Sequence, residues 1–197
     1  MVRRVVTLYV SVLVMLLMMT WVYLSMRAVM DIGGSCGSGG PYVVANPCPD
    51  HIAAFMTLGI PVMLVSAFVG SGVAMGLGAP NLLLPMWWLL FGSLGWNFLD
   101  YGLFQGDVVW GWAFCGVLFE LMALPALLIS LPWGWTGPAR IAEARAQRQA
   151  VVAERAEGPA GAAASPGAPG AGRWVVAYVL LGALGVALGW WSFHAWT

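Results

Sequence analysis

Five long apolar runs divide the chain: Val5–Leu24, Ile52–Met75, Leu82–Phe104, Val108–Leu131 and Trp174–Trp191. About 20 apolar residues, rising ~1.5 Å each in a helix, cross the ~30 Å hydrocarbon layer of a bilayer. The first four runs reach that length and the fifth comes close to it. The pattern predicts an all-α polytopic membrane bundle of about five transmembrane helices. It divides the chain into a four-helix region over 1–135, a polar segment over 136–172 and a fifth helix over 173–197. The third and fourth runs are joined only by Gln105-Gly106-Asp107 and should form an antiparallel hairpin.

The polar positions between the runs set loops and orientation. Val5–Leu24 follows Arg3 and Arg4 but is longer than a signal-peptide core, and no small-residue cleavage pattern follows it, so it reads as an uncleaved span. Residues 31–50 are rich in Gly and Pro and read as a loop. They lack the Gly-Lys-Ser/Thr ending of a phosphate cradle. The basic residues are all arginine. With five spans and an inside N-terminus, Arg3, Arg4, Arg140, Arg145, Arg148, Arg155 and Arg173 fall inside, and Arg27 falls outside. That bias favours an N-terminus inside, a C-terminus outside and an extracytoplasmic 31–50 loop. In that oxidising setting Cys36 and Cys48 should form a disulfide closing the loop. Their spacing is too wide for a C-x-x-C redox pair. Cys115, within the fourth run, reads as a small buried apolar residue.

Between Trp135 and the fifth run the chain becomes polar. Thr136 and Pro138 suit a helix start, and Arg140 to Glu157 suit a solvated cytoplasmic helix. Gly158–Gly172 reads as a disordered tether. Small residues line one face of two spans: Gly59, Ser66 and Gly70 with Met63 on the second, and Gly182, Gly185 and Gly189 on the fifth. Such faces permit close helix packing, within the chain or with a partner or a second copy.

Composition narrows the class. Of 197 residues, 61% are hydrophobic and 8% are charged. A soluble domain carries roughly 25% charged residues, so the core of this protein is built within lipid. The arginines do not alternate with stacking aromatics on a polar surface, which argues against nucleic-acid binding. Several of the 12 Trp residues lie near span ends, as an interfacial belt requires. No cofactor-binding or metal-ligating pattern is present, and His51 reads as an ordinary interfacial histidine.

Candidate chemistry lies in the hairpin. Ser93, Asn97 and Asp100 are spaced four and three apart and share a face of the third span. Glu120 shares a face of the fourth with Gly116 and Ala123. Counted from the connecting loop, Asp100 lies ~6 Å into the apolar layer and Glu120 ~18 Å. This gives a ladder of polar groups rather than a carboxylate pair. A charged carboxylate at mid-bilayer is costly, and no arginine lies in these two spans. Glu120 is therefore expected to be buried near Ser93 and neutral, or to meet a cation or a partner chain. Pro125 should free the carbonyl of Leu121 and kink the helix close to Glu120. The ladder suits either hydrogen-bonded glue between helices or a proton or cation path. The glue reading leads, because below Glu120 the fourth span offers only Ser130 to continue a path.

The loop CGSGGPYVVANPCPD, together with SLGWNFLDYG, resembles an uncharacterised group of small actinobacterial membrane proteins. The resemblance covers roughly residues 30–131 and implies a plasma-membrane location without an activity. No motif of a thiol oxidoreductase, zinc peptidase or nucleotide-driven pump accompanies it. The function expected is that of a non-enzymatic accessory or interaction subunit. The alternative is a small channel or proton/cation-coupled transporter using Asp100, Asn97 and Glu120. The orientation has a direct test: protease added to inside-out vesicles should cut within Gly158–Gly172, whereas cutting only from the opposite face would reverse the topology.

Overall fold

The computed structural model describes residues 1–37, 46–130, 146 and 171–197. Among the described residues five long helices form the bundle: α1 (Val2–Asp31), α2 (Ile52–Leu77), α3 (Leu83–Leu99), α4 (Trp110–Ser130) and α5 (Ala171–Trp196). There is no strand among the described residues; the pairing of Gly37 with Pro47 is an isolated bridge. Four helices, α1, α2, α4 and α5, are long and apolar enough to cross a membrane. The 17-residue α3 continues without a break into a five-residue π-helical turn, Asp100–Phe104. Together they approach the same span at ~1.5 Å per residue. The chain is an all-helical bundle of multi-pass membrane type.

Each apolar run maps onto one helical segment, α4 starting two residues into its run at Trp110, and two helices run well past theirs. α1 continues through Arg27 to Asp31, and α5 covers Ala171–Trp196, so that His194 lies within it. The cause at α1 is an acidic neighbour for Arg27, described below. At α5, the His194 ring nitrogen Nδ1 lies 2.8 Å from the carbonyl of Trp190, one turn back. The expected cytoplasmic helix and most of the tether lie outside the described residues. Ala171 and Gly172, assigned to the tether, form the first turn of α5.

α1 is the central helix. Leu8, Val12, Met15 and Met19, spaced by helical turns, are buried against Met63, Ala67 and Ala74 of α2, Leu82 and Met86 at the start of α3, and Trp174 of α5. A second cluster lies toward the other end of α1, where Ile52 and Phe55 of α2 meet Phe193 of α5 beside Trp21 and Leu24. The Trp21 indole donates to the Ser192 hydroxyl at 2.9 Å and ties α1 to α5. The α3–α4 hairpin leans on this three-helix layer through α3. Its entry turn is held by Asn81, whose Oδ1 accepts from the Leu83 N–H at 2.7 Å and from the Ser71 hydroxyl at 3.0 Å.

In lipid, helices gain little from hiding apolar surface, so contact depends on close packing. The glycines supply it. A methyl group at Gly185 of α5 would sit 2.6 Å from the Leu13 carbonyl of α1, and one at Gly189 would sit 2.8 Å from the Leu17 carbonyl. On α4, a methyl at Gly116 would sit 2.9 Å from the Leu99 amide and 3.0 Å from the Gly95 carbonyl of α3. Gly59 and Gly70 of α2 face α1 across the side chains of Val22 and Ser11. These small-residue faces are thus occupied inside the chain, and a partner would engage other surfaces.

Cys36 and Cys48 lie at disulfide distance, with Cα atoms 4.9 Å apart. The two arms of the loop neck also exchange backbone bonds, Gly37 N–H to Asn46 C=O at 3.0 Å and Cys48 N–H to Gly37 C=O at 3.1 Å. Cys115 is free and half-buried. Alkylation of unreduced protein followed by mass spectrometry should label Cys115 on denaturation and leave Cys36 and Cys48 unlabelled; labelling of either loop cysteine without reductant would contradict the bond.

Candidate functional site

α3 presents two stripes. Ser93, Asn97, Asp100 and Tyr101 are spaced four, three and one apart, and the last three turn toward α1. Gly92, Gly95, Leu99 and Gly102 turn toward α4, where contact is backbone-close. The residues of the predicted ladder therefore do not converge on one channel.

Asn97 and Asp100 meet Arg27. The Arg27 guanidinium donates to Asp100 Oδ2 at 2.8 Å and, from the same nitrogen, to Asn97 Oδ1 at 3.3 Å. The Asn97 amide donates to the Tyr23 carbonyl at 3.5 Å, and Asn97 is fully buried. Gln105 adds a donor to Asp100 Oδ2 at 3.3 Å. The Tyr101 hydroxyl donates to Asp31, and its ring lies under the Arg27 guanidinium at 5.1 Å. Trp112 of α4 meets the Tyr101 ring edge-on at 6.5 Å and fills the space beside Gly34, where a methyl group would lie 2.7 Å from the indole. One network thus joins the Asp31 end of α1, the π turn, the start of α4 and the neck of the cysteine loop.

This revises the expected ladder, although the two hairpin spans themselves hold no arginine. Arginine does reach the polar stripe, because it comes from α1 rather than from the hairpin. Asp100 is an ion-pair partner with its side chain 15% exposed, not a free rung of a ladder. A signal for this was present. Arg27 stands four residues from the end of α1, and Asp100 lies a similar depth below the α3–α4 loop; both helix ends were expected on one side. Opposite charges at equal depth in lipid attract strongly, since each is costly alone.

Glu120 stands apart from that network. It is half-buried and lies against the glycine stripe of α3, where a methyl group at Gly95 would come within 2.8 Å of Oε1 and one at Gly92 within 3.9 Å of Oε2. None of the hydrogen-bond donors among the described residues reaches its carboxyl. Ser93 is near, but its hydroxyl donates to the Leu90 carbonyl of its own helix at 3.0 Å. Glu120 and Ser93 line one hollow of about 270 Å³ with Trp88, Leu89, Gly92 and Leu127. Instead of full burial, the carboxyl has open space on one side. Pro125 lies inside α4 as expected, and the Trp87 indole donates at 3.2 Å to the carbonyl of Met122, the residue after Leu121.

No group of three or more His, Cys, Asp or Glu side chains among the described residues is placed to hold a metal ion. No protein-family model matches the chain, and neither a curated protein nor a solved structure gives a significant match.

The Arg27–Asp100 pair makes a quantitative prediction. Hydrogen bonds to charged groups contribute roughly 1.5–3 kcal/mol, and loss of one partner of a buried pair costs more than the pair is worth. Arg27→Met and Asp100→Leu should each destabilise the protein in detergent by about 1–3 kcal/mol. The double variant should be more stable than the sum of the two losses predicts. Additive losses would mean that the pair is not formed.

Proposed function

We propose that this protein is a multi-pass accessory or interaction subunit of the plasma membrane, without enzymatic activity of its own. The proposed topology has the N-terminus and the 136–172 segment in the cytoplasm, in keeping with the arginine bias. The resemblance to small actinobacterial membrane proteins fits this location.

One observation carries the reading. The polar groups at membrane depth are split between two separate places. Asn97 and Asp100 are committed to Arg27, while Glu120 faces a hollow on the α4 side of α3. A conducting path through Asp100, Asn97 and Glu120 would need those groups to pass a proton or ion among themselves. Nothing in the described geometry links Glu120 to Asn97 and Asp100, and an arginine beside the path would repel a cation. A structural role for the Arg27 network, which fixes the cysteine loop to the bundle, suits a protein whose task is to present a surface.

The transporter alternative retains Glu120 alone, as a carboxyl open to a membrane-facing hollow. Purification in mild detergent and reconstitution in liposomes separate the two. The subunit reading expects a stoichiometric partner protein to copurify and no pH-driven flux from the isolated chain. A lone monomer that moves protons, with flux lost in Glu120→Gln, would transfer the function to the transporter.

A further inference from the structure

The hollow beside Glu120 shares walls with a longer cleft. α5 packs along α1 and makes no extensive contact with the α3–α4 hairpin. Between them runs a crevice floored by α1. Its largest part, about 740 Å³, is lined by Leu16, Tyr23, Leu89, Ser93 and Trp190, among others. A second part, about 480 Å³, continues along the Leu16, Leu89 and Ala183 walls to Trp88 and Leu127. The Glu120 hollow adjoins both, since it shares Leu89 and Ser93 with the first and Trp88, Leu89 and Leu127 with the second. Leu89 and Ser93, one turn apart on α3, form the ridge between them.

The walls are mostly apolar, and the volumes of the two larger parts fall in the range of small-molecule sites, roughly 300–1,000 Å³ lined by aromatic and aliphatic groups with a few placed polar ones. Here the placed polar group is an acid. No basic side chain among the described residues lines any of the three parts. Arg27, the one arginine of the helix core, is occupied by Asp100. A lipid acyl chain would fill the apolar volume and leave the carboxyl unanswered. An inorganic cation would need more ligands than one carboxylate, and no such cluster is present among the described residues. A weakly hydrated organic cation meets each requirement. Its charge meets Glu120, its body spreads over the Leu89–Ser93 ridge, and Trp88, which lines the hollow with Glu120, is the aromatic available for a cation–π contact. The same molecule already shows that contact type, in Arg27 over Tyr101.

We propose that the crevice between α5 and the α3–α4 hairpin is a binding site for a lipophilic organic cation, with Glu120 as its counter-ion and Trp88 as its aromatic wall. The ligand enters sideways from the bilayer, because the crevice lies at the depth of the spans. The site stands whether the protein proves to be a subunit or a transporter.

The test uses the full chain in lipid nanodiscs and labelled tetraphenylphosphonium as probe. Saturable binding above that of empty nanodiscs is expected. Glu120→Gln keeps the side-chain shape and should weaken binding about tenfold or more, the loss of one charge-assisted contact. Trp88→Leu should weaken it several-fold, on the order of one cation–π contact. Ala183→Trp leaves the carboxyl intact and fills the crevice from the exposed face of α5, so it should also abolish binding; it decides the matter if the Glu120 variant misfolds. Neutral triphenylmethane should not displace the probe. Three outcomes overturn the proposal: no saturable binding, equal binding by folded Glu120→Gln or Ala183→Trp protein, or displacement by triphenylmethane as effective as by unlabelled probe.

Discussion

The Arg27–Asp100 pair is the constraint on which the arrangement of this bundle depends. A charged side chain within a transmembrane helix costs several kcal/mol at mid-bilayer and less toward the boundary. Each member of this pair sits near the end of its helix, where the cost is moderate, and each lowers the cost of the other. The pair fixes the rotation of α3 about its own axis. Once Asp100 and Asn97 face α1, the stripe on the far side of the helix, Gly92, Gly95, Leu99 and Gly102, must face α4. The π turn at Asp100–Phe104 keeps the chain helical while Tyr101 reaches Asp31 and the Gly102 backbone meets α4. It also brings the Gly102 carbonyl to the Val109 amide at 2.9 Å, which closes the hairpin.

The rest of the packing follows from glycine placement. Two helix pairs, α1 with α5 and α3 with α4, approach until a single methyl group would strike backbone on the neighbour. Close approach of this kind uses dispersion over many atom pairs, which lipid chains cannot match where backbones touch. α1 and α2 use larger residues instead, with Met15, Met19 and Met63 filling between them. Methionine suits that place, since its flexible thioether adapts to irregular gaps. The consequence is an uneven bundle. Two tight glycine seams and one methionine-filled seam hold five helices, and the hairpin touches the three-helix layer chiefly at its ends. The middle of that junction is the crevice.

How much of this could be read from the chain depends on the range of the signal. Hydropathy is local, so the five apolar runs and the short Gln105–Asp107 connection were visible in the letters. The loop cysteines were visible as the two cysteines of the Gly- and Pro-rich segment between the first two runs. The partners of the polar residues were less so. Asp100 and Glu120 lie on adjacent spans joined by a tight loop, and sequence proximity suggested that they belong to one ladder. Asp100 is in fact answered from α1, more than seventy residues earlier in the chain. Depth matching across helices would have found it, because Arg27 and Asp100 stand equally far below neighbouring helix ends. The glycine stripe of α3, which decides what Glu120 touches, was present as Gly92, Gly95 and Gly102, but it was masked by the more conspicuous polar residues beside it.

Glu120 then poses the remaining physical question: why an acid persists where glycine has been placed to receive it. If the carboxyl served only as glue, a donor on α3 would be the simplest complement, and Ser93 is close enough to have been one. Its hydroxyl turns to Leu90 instead. α3 offers Glu120 only the bare backbone faces of Gly92 and Gly95, which make room for the carboxyl without satisfying it. Room without a partner is a poor arrangement for stability alone, since desolvation without a hydrogen bond costs roughly 1–3 kcal/mol by mutational measure. A small apolar residue at position 120 would pack the same glycines at less cost. The acid is therefore best explained by something outside the chain that answers its charge, and the apolar crevice beside it is where that group would arrive.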